Sequence, residues 1–202
     1  MAAAAAASPL DDPTGWISSL SKGASKKVAF NALDWGSKLV GSEEPVPGAQ
    51  KQETNAKDFM GYLKDGAMLA KLANKLSPGA VETVHEKPAE KEKQLDNING
   101  FLSFAKDKVG LSDNSLFKPD DLLSGKGFPQ VLGSLVGVGT QSQSKFNIAG
   151  LNADTLIQMA TQAAGKNFLQ SLLDRIFKKS APPASAVVEN KQTKEEAAAE
   201  QT

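Results

Sequence analysis

The stretch Phe59 to Gly79, FMGYLKDGAMLAKLANKLSPG, constrains this chain more than any other part of it. Phe59, Tyr62, Leu63, Met68, Leu69, Leu72 and Leu76 recur at the spacing that places side chains on one face of a helix, which predicts a central helix with that face buried. Gly66 falls where this periodicity continues, so the pattern predicts that it stays helical although Gly costs roughly 1 kcal/mol relative to Ala. A glycine tolerated in such a helix permits close approach of another backbone. Asn74 and Lys75 stand in the last turn, and Ser77, Pro78 and Gly79 stop it.

Around this stretch the apolar residues keep helical spacing. Trp16, Ile17, Leu20 and Ala24 form one set, and Val28, Leu33, Trp35 and Leu39 a second, each interrupted by a glycine, Gly23 or Gly36. Ser42 to Gln52, with Pro45, Pro47 and Gly48, reads as a loop. Ala80 to Lys93 is rich in Glu and Lys and reads as a solvated connection into the next helix. That helix carries Leu95, Ile98, Phe101, Leu102 and Ala105 and ends at Gly110; Asn97 and Asn99 are expected to meet solvent or to cap nearby backbone. Gly125, Gly127, Gly133, Gly137 and Gly139 read as turns, and Thr140 to Leu151 is polar and loop-like.

Four pieces of the chain, in this order, resemble the calponin homology domain, and specifically its single-domain calponin and transgelin branch. They are Leu63 to Gly79 (LKDGAMLAKLANKLSPG), Gln94 to Ile98 with Phe101 and Leu102, Leu116 to Leu122 (LFKPDDL), and Val131 to Leu135. The likeness covers about residues 28 to 140. It implies an all-α domain in which Ala32 to Gly41 is the first helix and Trp35 a core anchor, since an aromatic ring contributes more apolar area than other side chains. The repeats that follow the domain in calponins are not recognisable after Gly139, where Gly137-Val138-Gly139-Thr140 is only a faint echo.

The residue inventory narrows the chemistry further. Lys plus Arg and Asp plus Glu both number 23, so no global charge favours nucleic acid, and 202 residues suit one domain with extensions. There are no cysteines, which removes disulfide and thiolate chemistry. His85 is the only histidine, and without a second ligand type beside it no metal or catalytic role is expected. Asp113, Asp120 and Asp121 lack the spacing of a calcium loop, Gly125-Lys126-Gly127 lacks the flanks of a phosphate loop, and no nucleophile elbow occurs. A non-enzymatic protein without a cofactor is expected. No apolar run approaches the roughly 18 residues of a membrane span, and the polyalanine start is a poor signal peptide.

Beyond the domain, Asn152 to Lys179 predicts an amphipathic helix, capped by Asn152 or Asp154, whose stripe grows bulky at Phe168, Leu169, Leu172, Leu173, Ile176 and Phe177. Such a stripe must be covered, either by docking back with Trp16, Ile17 and Leu20, or by a partner protein or self-association. The expected organisation is an N-terminal arm at 1–13, a helical extension at 14–27, the domain at 28–140, a linker and helix at 141–179 and a tail at 180–202. The resemblance implies a cytoplasmic, cytoskeletal protein that binds filamentous actin. Actin is acidic, so exposed Lys64, Lys71, Lys75 and Lys126 are the expected contacts on the domain. The alternative is an adaptor or signalling module acting through the 152–179 helix, with Leu172, Ile176 and Phe177 as its contact ridge.

Overall fold

The structure, a computed structural model, describes residues 8–163, which are helical and contain no strand. The order is α1 (Pro13–Ser19), α2 (Lys22–Val40), α3 (Ala56–Leu63), α4 (Ala67–Leu76), α5 (Lys91–Phe104), α6 (Pro119–Leu123) and α7 (Phe128–Phe146), followed by α8 over 153–163. A π-turn, Ala105–Val109, continues α5, and a 3-10 turn, Asp113–Ser115, precedes α6. Leu172, Ile176 and Phe177, like the polyalanine start, lie outside the described residues.

One core holds the elements together. Phe59 and Leu63 of α3, Leu69 and Leu72 of α4, Ile98 and Phe101 of α5, and Leu132 and Leu135 of α7 are fully buried in it. At about 25 cal/mol per Å² of apolar surface, each such side chain contributes roughly 2 kcal/mol. Phe59 meets Phe128 edge-on at a centroid distance of 5.4 Å, and Phe101 stacks on Phe117 at 6.3 Å.

The central stretch is two helices rather than one. Gly66 sits at φ +69°, in the left-handed region, so α3 ends at Leu63 and α4 starts at Ala67. The apolar stripe survives because the interrupted turn preserves its direction, which is why periodicity alone predicts continuity. Crowding requires glycine there: a Cβ on Gly66 would lie 2.8 Å from Asn97 Cβ and 3.0 Å from Ile98 N. The N-terminal set is likewise divided, with Leu20 leaving α1 and the Ser21 hydroxyl accepting from Ala24 N to cap α2. Trp35 is half-buried and not a core anchor; its indole N–H needs an acceptor and donates to Ala149 O at 2.9 Å. Trp16 is the buried tryptophan.

The other revision is at the C-terminal end of the domain. Helix α7 runs through Phe146, so Thr140–Phe146 is helical, and Gly133, Gly137 and Gly139 are interior helix positions rather than turns. Tertiary packing overrides their low propensity, because α1 lies against this face. A Cβ on Gly133 would come 2.7 Å from Thr14 Cα and 3.0 Å from Thr14 N. Gly133→Ala should therefore cost about 2 kcal/mol by forcing α1 away. Gly61→Ala in α3, where a Cβ meets nothing within 4 Å, should instead stabilise by up to about 1 kcal/mol. Urea unfolding of the two variants checks the reversal of sign.

After α7, Asn147 turns the chain in the left-handed conformation, and Leu151 N returns to Gly139 O at 2.9 Å. Asn152 then caps α8, its Oδ1 accepting from Thr155 N at 2.9 Å, as the sequence suggests. Leu151, Leu156 and Ala160 belong to the same core cluster as Trp16 and Ile17, with Leu20 packed against it.

Candidate interaction surface

The surface is organised by the turn Lys64-Asp65-Gly66 and by one side chain beneath it. Asn97 of α5, expected to meet solvent or to cap nearby backbone, is 0% exposed and bonds backbone on two other segments. Its Oδ1 accepts from His85 N at 2.9 Å, and its Nδ2 donates to His85 O at 2.9 Å and to Asp65 O at 3.1 Å. One amide thus ties the α4–α5 connection to the α3–α4 turn and satisfies backbone groups no helix could reach. The available signal was a polar residue in register with Ile98, Phe101 and Phe104 on the apolar side of α5. Asn74 does the same one layer on, accepting from Val81 N at 2.9 Å and donating to Val81 O at 2.8 Å.

Two different grooves flank this turn. Between α3 and α6 an open groove of about 480 Å³ has Met60, Leu122 and Leu123 at its base and Lys57 and Lys64 as its charged lining, with Ser124 and Gly125 on the far wall. Lys57 and Lys64 are two helical turns apart, so α3 projects both to one side. Sequence reasoning missed Lys57 although this spacing could have found it. Lys126 is exposed in the turn following Gly125. Among the described residues Lys57, Lys64, Lys75 and Lys126 form no ion pair.

The second recess, about 100 Å³, lies between α4 and the two long loops, with Glu44, Tyr62, Asp65, Lys71 and Lys87 among its walls. Here the charges are spent on each other. Lys71 Nζ pairs with Glu86 at 2.7 Å, and Lys87 Nζ with Glu44 at 3.0 Å. The hydrogen bond from Lys87 to Glu44, reinforced by the charge of that carboxylate, holds the Lys87 ammonium above its ordinary pKa. Lys87 also has φ +44°, an uncommon backbone state for a residue with a side chain. His85 Nε2 lies 3.4 Å from Asp96 Oδ2, and no cluster of metal-ligating side chains occurs among the described residues.

The four lysines expected to act together are thus divided. Lys64 accompanies Lys57 in the lining of the α3–α6 groove, and Lys126 is exposed one residue beyond Gly125 of that lining. Lys71, half-buried and paired, belongs to the other recess, and Lys75 is exposed one turn further along α4. No described helix is long and apolar enough to cross a membrane.

Comparison with known proteins agrees with this architecture. The chain is 35% identical over 94 residues to calponin-1 of Meleagris gallopavo, covering 46% of this chain and 52% of that protein. It is 34% identical over 108 residues to Rho guanine nucleotide exchange factor 6 of Rattus norvegicus, covering 50% of this chain and 14% of that protein. Calponin-2 of Sus scrofa is 33% identical over 97 residues, with 48% of this chain and 31% of the relative covered. The matches therefore span about half of these relatives' length or less. The family model for the calponin homology (CH) domain matches residues 31–143, from within α2 through most of α7, and the chain belongs to that family.

Proposed function

We propose that this chain is a non-enzymatic, actin-associated cytoskeletal protein of the cytoplasm that engages filamentous actin through the α3–α6 groove. The observation that carries the reading is the cationic lining of that groove, Lys57 and Lys64 over an apolar base; Lys126, exposed next to Gly125 in the sequence, adds to the positive charge. The similarity to calponins supports it. Exposed lysines on one side attract an acidic filament over roughly a Debye length, about 8 Å at physiological salt, and the apolar base adds contact once water is displaced. Lys71 contributes little, because Glu86 already neutralises it.

Co-sedimentation of the full chain with filamentous actin across a salt series tests this. Reversing charge in Lys57→Glu/Lys64→Glu should weaken pelleting by about tenfold at low salt, roughly 1.4 kcal/mol, and flatten its salt dependence. Lys71→Ala should leave pelleting nearly unchanged. A shortened chain should keep residues through 163, because Leu151 and Leu156 are core residues.

A second reading is favoured by the similarity to an exchange factor: an adaptor or signalling module that uses the same domain to bind another protein. In that reading the 152–179 helix, with Leu172, Ile176 and Phe177, supplies the contact. Absence of pelleting by the unaltered chain at micromolar concentration would leave this reading and remove the first.

A further inference from the structure

We propose that Met159 is an oxidation site, and that its conversion to the sulfoxide by a hydroperoxide unlatches residues 147–163 from α2. The chain has no cysteine, so its methionines are the only sulfur groups available to an oxidant. Among the described residues Met60 and Met68 are sealed in the core at 4% and 8% exposure. Met159, on α8, is half-buried and reachable from solvent.

The sulfur of Met159 has a specific partner. Asn31 Nδ2 donates to Met159 Sδ at 3.1 Å, and one turn along the same side of α2 Trp35 Nε1 donates to Ala149 O at 2.9 Å. These two donors, four residues apart on α2, clip the returning segment at both ends. Between them Leu151 and Leu156 are buried, as is Ala160 next to Met159. The thioether is therefore an acceptor and a packing surface at once.

The chemistry is a two-electron oxygen transfer. A sulfur lone pair attacks the terminal oxygen of the hydroperoxide, the O–O bond breaks as the S–O bond forms, and the displaced oxygen leaves as water or an alcohol after taking up a proton. Sulfur is oxidised and the peroxide reduced. An oxygen placed on the lone pair facing Asn31 would stand well inside van der Waals contact with Nδ2, so α8 must move away from α2. An oxygen on the other lone pair sets a strongly polar group in the half-buried seam. Either epimer weakens the clip, and the neighbouring Trp35–Ala149 bond loses its support. Methionine sulfoxide reductases, one for each epimer, restore the thioether.

The test exposes the full chain to dilute hydrogen peroxide and follows each methionine by peptide mapping, with amide exchange and tryptophan emission on the same samples. Met159 should oxidise at least about fivefold faster than Met60 and Met68. Amide exchange across 148–163 should then rise by about tenfold, through local opening rather than global unfolding. Emission should shift to the red, and the shift should vanish in Trp35→Phe. Met159→Leu should resist these changes, Met159→Gln should show the opened state without oxidant, and reductase treatment should reverse them in the oxidised chain. Oxidation of Met60 or Met68 as fast as Met159 would overturn the proposal. So would complete oxidation of Met159 with exchange and emission unchanged.

Discussion

Replacing Asn97 with Leu should lower the thermal midpoint by about 10 °C. The substitution keeps the branched shape of the side chain, with bulkier methyl groups, and adds apolar surface, so on transfer alone it would be neutral or favourable in a site with 0% exposure. The hydrogen bonds decide otherwise. His85 N, His85 O and Asp65 O all lose their partner at once, and a buried group left unpaired costs about 1–3 kcal/mol. These groups sit in loop and turn backbone that water can partly reach after local rearrangement, so the sum stays near 3 kcal/mol, or about 10 °C for a domain of this size. Circular dichroism melting measures the loss. A drop of less than about 2 °C would show that other contacts carry the α4–α5 connection. Asn97→Asp separates acceptor from donor: it keeps an oxygen for His85 N but forfeits both donated bonds and buries a carboxylate, and should be no better than Leu.

Gly66→Ala should be nearly as damaging, by about 3 kcal/mol. Two costs combine there. A left-handed backbone costs an L-residue roughly 1–2 kcal/mol, and the new methyl must fit where Asn97 Cβ and Ile98 Cγ1 both stand at 2.8 Å, which adds about 1–2 kcal/mol of overpacking. Gly79 separates the two, because it shares the positive φ, +79°, but a Cβ there meets nothing within 4 Å. Gly79→Ala should therefore cost only about 1 kcal/mol. Equal losses in urea unfolding for the two variants would mean that crowding at Gly66 relaxes freely. Gly66 and Asn97 touch, so their effects should not add in the double variant.

These two residues mark the boundary of what the sequence made legible. The stripe from Phe59 to Leu76 located the central helical stretch, and its stop at Ser77 to Gly79 matches the end of α4. The stripe could not show the break at Gly66, because a left-handed turn that returns the next helix to the same core leaves the pattern intact. The glycines of α7 were misread for a related reason. Their low propensity is local information, whereas the chain that presses on them, Thr14 against Gly133 and Leu151 against Gly139, is distant in sequence. Asn97 and Trp35 show the limit of composition: an amide in an apolar register and an indole with one polar atom both have partners, His85 and Ala149, that only the folded chain supplies. At the surface the lysines were legible one by one. Their division between an unpaired groove and a neutralised recess depends on Glu86 and Glu44, which reach Lys71 and Lys87 across loops.

The packing of α1 on the glycine face of α7 also sets the order in which the chain can assemble. The helices of the middle, α4 and α5, follow one another in sequence across a single loop and can associate early, with less loop entropy to overcome than α1 meets on reaching α7. The first helix has no such neighbour. Pro13 and Thr14 fit against Gly137 and Gly133, which are among the last residues of the domain to leave a ribosome. During synthesis, at about 5–20 residues per second, α1 must wait several seconds with its apolar side uncovered. Closure of the domain is therefore a late, long-range event, and the N-terminal helix is the part of a nascent chain most in need of protection.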